Sequence, residues 1–578
     1  MKQNMEQNQL ALPRRANLLM ARYFFRRNTL TDDLSAGLTL GLFSVPDGMA
    51  TGLLALINPI HGVYGYMVGV FTGAFFTSSV YMSVQATSAM ALIVAGIPQV
   101  HEGVRATDSL LALTLLTGVI MVVLGLLKLG SLMRFVPKSV MTGFINAVAV
   151  LIVLGQLADL TGYAAAGPNR IVQTINLARN LNQVDLPSLF VGLMTIVLIL
   201  VLEKTKLASF GIVVAMIVAS LLPPLFDWGS VALASSIAII PSELPRVTLP
   251  HLSTFLPMVV PALALALVGL VQGSGISQSY ANPDGKYSDA SGDFTGQGVA
   301  NIAAGLLQGM PVGGSLSATS LVVNGGAKTR LANIVAGITM AVSLLLFGGL
   351  IGSLAMPALA GLLVVIGFRT LKPDDVRMVW NTGTIQAMVM VVTFTMAFFI
   401  PLHFAVLVGV ALSIFLFAFQ SSNRIVIKEW RHSPGEFPEE TVAPTLLPSN
   451  KVTILVPYGS LFFASAQGFE VQLPAVSEET HNAAVILNLR GHADFGSTFL
   501  TVLQRYALEL KARNSRLILA GVGRHSLAEL EKTGLIDLFE RQNIFTATDR
   551  IGEALFAAHA EANTWLEQNL EQRPPASS

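Results

Sequence analysis

The stretches SVQATSAM (residues 83–90) and PVGGSLSATSLVVNGG (residues 311–326) are short apolar segments punctuated by glycine, proline and hydroxyl residues, and they sit at matching places in the two halves of the chain. A membrane transporter built from inverted repeats holds its substrate where two such broken helices meet near the middle of the bilayer. The pair therefore points to secondary transport, with the two segments as half-helices.

Composition supports a membrane setting. Of 578 residues, 53% are hydrophobic and only 12% charged, against about 25% charged in an ordinary soluble domain. The mean hydropathy is +0.64. Apolar runs recur through residues 33–428, enough for about 14 spanning or half-spanning segments by length. A net charge of +1 with no basic stripe excludes a nucleic-acid footprint. With no cysteine in the chain, disulfides and thiolate chemistry are excluded as well.

Charge parity sets the expected topology. Lys2, Arg14, Arg15, Arg22, Arg26 and Arg27 precede the first apolar run, and no signal-peptide pattern precedes it. Cations recur in alternate connections at Lys128, Arg134, Lys138, Lys204, Lys206, Lys328, Arg330, Arg369, Lys372, Arg377, Arg424 and Lys428, while the intervening loops carry Glu102, Asp108, Asp159, Asp185, Asp227 and Glu243. By the positive-inside rule both termini are cytoplasmic, at the cell's inner (plasma) membrane. Expected boundaries are a cytoplasmic segment 1–32, a transport domain 33–428, a linker 429–450, a soluble domain 451–558 and a tail 559–578, helical and then disordered. In the soluble domain, runs 452–456, 484–489 and 516–520 read as strands and 498–511 and 526–533 as helices, a small α/β layer.

The sequence LGLLKLGSLMRFVPKSVMTGF (124–144), GQGVANIAAGLLQGMPVGGSLS (296–317), GGAKTRLANI (325–334) and YGSLFFASAQGF (458–469) resembles the SulP family of anion transporters, relatives of pendrin and prestin. The last of these motifs resembles the family's C-terminal STAS domain. The resemblance implies an α-helical membrane protein with a seven-plus-seven inverted repeat. It also implies a core domain moving against a gate domain as an elevator, a homodimer, and no enzymatic activity or cofactor.

The candidate site follows from both lines. Helix amino ends leave unpaired N–H groups and a positive dipole end, which suit an anion. The hydroxyl and amide groups expected around it are Gln85, Thr87 and Ser88 on the first half-helix and Ser315, Ser317 and Thr319 on the second, although small hydroxyl residues also serve close helix packing. Asp47 is the one acid in the run 34–57 and sits in VPDGMA, where Pro46 and Gly48 are expected to break the helix. A buried membrane acid is a functional candidate by default. Family members usually place a glutamine near this point and an acid in the eighth span, whereas here the eighth span carries Gln272, so the resemblance makes Asp47 the proton or sodium carrier. Many relatives carry an arginine where this chain has Ala318, so no fixed cation is expected to face the anion.

Expected partners are an inorganic anion (sulfate or bicarbonate) or a dicarboxylate, a proton or sodium ion, membrane lipid and a second copy of the chain. A passive channel or exchanger, a nucleobase permease of the same architecture and a membrane-anchored regulator stay open as alternatives. Lys328 and Arg330 read as positive-inside anchors or as cations that draw anions to the cytoplasmic mouth. Asp494-Phe495-Gly496-Ser497 falls where related soluble domains carry a phosphorylated residue, with the spacing altered and Ser497 as the remaining acceptor. No metal-ligand spacing and no catalytic motif occurs.

Overall fold

A computed structural model of the chain describes residues 27–129, 136–167, 169–205, 210–237, 243–431, 439–492 and 495–571. Lys2, Arg14, Arg15, Arg22, Arg26, Arg134, Lys206, Asp494 and residues 572–578 lie outside the described residues. The chain divides into two compact units, residues 1–413 and 414–578.

The membrane unit is a series of apolar helices, in chain order α1 (Leu30–Leu54), α2 (Pro59–Phe76), the half-helix α3 (Ser88–Ala95), α4 (Ala106–Leu126), α5 (Lys138–Thr161), α6 (Leu186–Leu202) and α7 (Gly211–Leu225). A second set follows: α8 (Phe255–Ser279), α9 (Ala290–Leu306), the half-helix α10 (Leu316–Asn324), α11 (Leu331–Gly352), α12 (Met356–Thr370), α13 (Thr384–Phe399) and α14 (Leu402–Ser422), the last running into the second unit. Their starts follow local chemistry. Asn58 caps α2 ahead of Pro59, Asp185 caps α6, and the side chain of Asp289 accepts hydrogen bonds from the amides of Ser291 and Gly292 at the start of α9.

Helix packing follows a paired pattern. Helix α1 packs on α11, and α8 on α4; α4 packs on α9, and α11 on α2; α13 packs on α5, and α6 on α12. Exchanging each helix for the one seven places away turns every member of these pairs into the other. The pairs α2 with α9 and α5 with α12 map onto themselves. Two packing groups result, α1–α4 with α8–α11 and α5–α7 with α12–α13. In the first group α4 and α9 approach backbone to backbone: a Cβ on Gly118 would lie 2.6 Å from the carbonyl oxygen of Gly298.

Helix α1 is continuous through Pro46, which corrects the expected break at residues 46–48. Thr51 Oγ1 donates to the carbonyl of Asp47 at 2.8 Å, within an unbroken helix.

The soluble unit is built on a six-stranded sheet in the order β4 (Glu439–Val442), β3 (Val426–Arg431), β5 (Val452–Tyr458), β6 (Ala484–Asn488), β7 (Arg516–Val522) and β8 (Ile544–Thr546). Strands β5 to β8 are parallel and β3 is antiparallel to both of its neighbours. The three strands and two helices expected from sequence are present, with ends shifted by a few residues. Two boundaries are corrected. Residues 429–450 are no plain linker, because β3 and β4 belong to the sheet. The helix expected from 559 is present but begins earlier, as Glu553–Glu571, and packs on one sheet face instead of trailing as a tail.

The period-2 pattern of the strands explains both corrections. Leu455, Val485, Leu487, Leu517 and Leu519 point to one face, packed with Phe499, Leu503 and Leu530. Ile454, Val456, Ile486 and Ile518 point to the other, which would be bare without Leu555, Ala558 and Ala562.

Candidate functional site

Before each half-helix the chain is extended for three residues. Strand β1 (Ser83–Gln85) pairs antiparallel with β2 (Gly313–Ser315), with Ser83 opposite Ser315, Val84 opposite Gly314 and Gln85 opposite Gly313. In this register the amino end of α3, after Gln85, and that of α10, after Ser315, lie at the two ends of one three-residue ladder. Thr87 caps α3 by accepting from the amide of Met90 at 3.3 Å, and Ser315 caps α10 by accepting from the amide of Ala318 at 3.3 Å. In each half-helix the third amide is thereby satisfied. The first two amides, of Ser88 and Ala89 and of Leu316 and Ser317, have no partner within a helix.

The crossing is held by side chains from the surrounding helices. Asn301 of α9 brackets Val312, donating to its carbonyl at 2.6 Å and accepting from its amide at 2.8 Å. Gln297 accepts from the amide of Gly314 at 2.9 Å. Asn333 of α11 accepts from the Ser83 hydroxyl at 2.7 Å and donates to the carbonyls of Tyr81 and Met82. Side-chain amides suit this task because each carries both a donor and an acceptor for exposed backbone groups.

Nearby, buried Asp293 accepts four hydrogen bonds, from the hydroxyls of Ser78, Ser277 and Ser288 and the amide of Ser79. Arg330, only 3% exposed, donates to the carbonyls of Ala74 and Ser78 at the end of α2. The expectation that Arg330 is a cation open at the mouth is therefore corrected: its side chain is an internal clamp. Lys328 is exposed, while its backbone amide donates to buried Asp33.

The residues expected at the site fall into distinct places. Thr87 donates its hydroxyl to Gln272 Oε1 at 3.0 Å, which joins the eighth span to the first half-helix. Gln85 Nε2 donates to Ser44 Oγ at 2.8 Å, and its buried Oε1 has no hydrogen-bond partner. Ser88 is half-buried and Ser317 is exposed, its hydroxyl 3.2 Å from that of Ser315. Thr319 is fully buried, donating to the Ser315 carbonyl and accepting from the Ser83 amide, so its hydroxyl fastens the crossing. Ala318 is buried against Ala36, Leu40, Val70 and Val322, in a hydrophobic cluster between α10 and α1. The expectation that position 318 faces an anion is thus at odds with its packing.

Asp47 is half-buried one turn beyond Ser44 on α1. Its Oδ2 accepts the Tyr66 hydroxyl at 2.9 Å, and that hydroxyl lies 2.9 Å from Thr51 Oγ1. Among the described residues Asp47 forms no ion pair. Its partners are neutral hydroxyls of α1 and α2, and the carboxylate has no hydrogen bond to either half-helix.

Sequence reasoning missed Ser44, Tyr66, Asn301 and Asn333. Asn301 and Asn333 carried a legible signal, since each is an amide inside an otherwise apolar run. In the soluble domain Phe495 is fully buried against Phe499, and Ser497 is exposed in the first turn of helix Gly496–Ala512.

Comparison with known proteins agrees with this geometry. The model of the sulfate permease family matches residues 30–393, and that of the STAS domain matches residues 444–551. The putative sulfate transporter YvdB of Bacillus subtilis is 26% identical over 525 residues, covering 90% of this chain and 96% of that protein. The murine anion transporter Slc26a9, solved in the inward-facing state, superposes with a TM-score of 0.82 at 20% identity over 94% of this chain and 93% of its own. The transmembrane domain of the cyanobacterial bicarbonate transporter BicA gives a TM-score of 0.55 at 18% identity, covering 68% of this chain and 98% of its own.

Proposed function

The chain belongs to the sulfate permease family of anion transporters, and on that premise we propose that it is a secondary active transporter that moves an inorganic anion, sulfate or bicarbonate, or a dicarboxylate together with a proton or a sodium ion. The observation that carries this reading is the β1–β2 crossing, from whose two ends the half-helices α3 and α10 start. The substrate is held by the amides of Ser88, Ala89, Leu316 and Ser317 and by the side chains of Gln85, Ser88, Ser315 and Ser317. Thr87 and Gln272 form a linked wall beside them. Helix dipoles and neutral donors supply the attraction.

Asp47 carries the coupling cation in this reading. Ionised, it would repel a nearby anion by several kcal/mol at a low effective dielectric; loaded with a proton or sodium ion, it would not. Cation and anion occupancy then favour each other, which is the coupling symport needs. Transport proceeds as an elevator, in which the group α1–α4 with α8–α11 moves past the rest. The protein works as a homodimer in the plasma membrane with both termini in the cytoplasm, and the STAS domain serves assembly instead of chemistry.

The test is uptake into proteoliposomes of labelled sulfate, bicarbonate and dicarboxylates, with and without imposed proton and sodium gradients. Uptake above equilibrium that requires one gradient is expected. Uptake of an anion that ignores both gradients would mean a passive channel or exchanger. Uptake of a nucleobase alone would overturn the anion reading.

A further inference from the structure

Helix Pro373–Thr382 follows α12 directly and is amphipathic, with Asp374 and Asp375 in its first turn. It is pinned to the start of α5 by a 2.8 Å ion pair between Lys138 and Asp375, and the amide of Lys372 donates to Asn146 Oδ1 at 3.0 Å. Val379 is buried, while Trp380 is 60% and Met378 52% exposed. Between this helix and α5 lies a recess of about 550 Å³ lined by Asn146, Leu371, Val376, Arg377, Trp380 and Asn381.

We propose that this recess binds the phosphate head group of an anionic phospholipid. Arg377 is the central observation: among the described residues it forms no ion pair and no hydrogen bond, so a fixed cation lines a recess with no protein partner. Lys372 is exposed beside it and likewise has no ion-pair partner among the described residues, since Lys138 takes Asp375. Asp374 lies one turn before Arg377 without pairing to it.

A guanidinium suits a phosphate because its planar fork gives two parallel hydrogen bonds. The amide of Asn381 adds a donor at the rim. Leu371 and Val376 offer an apolar floor for the first carbons of the acyl chains, and Trp380 is the residue type enriched at the level of membrane head groups. Position favours a lipid over a free anion. The recess lies between Asn146 of α5 and the connection after α12, with exposed Lys372 beside it and the ion-paired cations Lys138 and Arg369 on the adjoining helices. Basic pockets between spans on the cation-rich side of a membrane suit anionic head groups.

The test uses the full chain released from membranes, with bound lipid counted by native mass spectrometry after exposure to phosphatidylglycerol or phosphatidylcholine. Wild type is expected to retain phosphatidylglycerol preferentially. Arg377→Gln should lower that retention about fivefold, the effect of one cation at an anionic surface, and leave phosphatidylcholine unchanged. Arg377→Lys should keep a clear preference, and added phosphatidylglycerol should raise the melting temperature of wild type more than that of Arg377→Gln at the same lipid concentration. Unchanged retention in Arg377→Gln would overturn the proposal. So would displacement of the lipid by inorganic phosphate at equal concentration, which would make this a free-anion site. A shift in the monomer–dimer ratio in Arg377→Gln with lipid retention unchanged would also overturn it, by showing that a second copy covers the face.

Discussion

Replacing Gln85 by leucine separates the energetics of folding from those of binding. The side chain is 1% exposed; its Nε2 donates to Ser44 at 2.8 Å and its Oε1 is unpartnered. Leucine has a similar volume, so no large cavity opens. One neutral hydrogen bond is lost, about 0.5–1.5 kcal/mol, while removal of a buried oxygen without a partner returns about 1–3 kcal/mol. Ser44 can turn its hydroxyl to the carbonyl one helical turn back, so its own loss is small. The net change in stability should therefore run from a loss of about 0.5 to a gain of about 2.5 kcal/mol. Binding behaves differently. A hydrogen bond to a charged ligand contributes about 1.5–3 kcal/mol, so the half-saturating anion concentration should rise roughly 10- to 150-fold. The assay is the initial rate of uptake against external anion concentration, paired with thermal melting by fluorescence-detected size exclusion. A variant that melts several degrees lower with an unchanged half-saturating concentration would refute the reasoning, because Gln85 would then be a packing residue.

Asp47→Asn should abolish concentrative uptake while anion exchange persists, since the residue keeps its shape and its contact with Tyr66 but no longer takes up a cation; wild-type accumulation in that variant would remove Asp47 from coupling. In the soluble domain, burial holds the His492 imidazole below its ordinary value of 6.5, against the opposing pull of the Pro457 carbonyl. The unfolded chain therefore binds a proton that the folded domain resists, so stability falls as pH drops below about 6.5 and returns above it. Protection factors of strands β5 to β7, corrected for the slower intrinsic exchange in acid, should fall in mildly acid buffer in wild type and much less so in His492→Gln. Ala562→Asp places a carboxylate against the face of Ile486 and Ile518 and should destabilise the soluble domain by a few kcal/mol, read as a lower urea midpoint of its unfolding.

The two half-helices were legible because glycine, proline and hydroxyl residues interrupt apolar runs at matching positions, and the caps Thr87 and Ser315 stand where those interruptions place them. The roles of single residues were less legible. Ala318 and Thr319 are adjacent and belong to one motif, yet one packs into the α1–α10 cluster and the other bonds across to Ser83, a choice set by which helix lies behind each. Pro46 suggested a break that neighbouring helices prevent, because packing against α2 and α11 supports α1 on both sides of it. Arg330 read as a surface cation because sequence does not show that the carbonyls of Ala74 and Ser78 come within its reach. In the soluble domain β3 and β4 were missed, and the final helix was foreseen only as a tail from residue 559, for one shared reason. Each is short or polar on one side, and its apolar side becomes meaningful only once the parallel strands present a face to cover, as Trp430 and Leu555 do against Ile454.

The central claim, that the transported anion sits between the two half-helix amino ends, is open to a direct measurement because the chain contains no cysteine. Ser88→Cys, Ser317→Cys and, as a control remote from the crossing, Thr384→Cys each introduce a single thiol whose rate of modification by a charged methanethiosulfonate reagent can be followed with and without the anion identified by uptake. Substrate should slow modification at positions 88 and 317, with half-protection near the half-saturating concentration for transport, and leave position 384 unaffected. Equal modification rates with and without saturating anion at both 88 and 317 would contradict the claim and place the substrate elsewhere in the bundle.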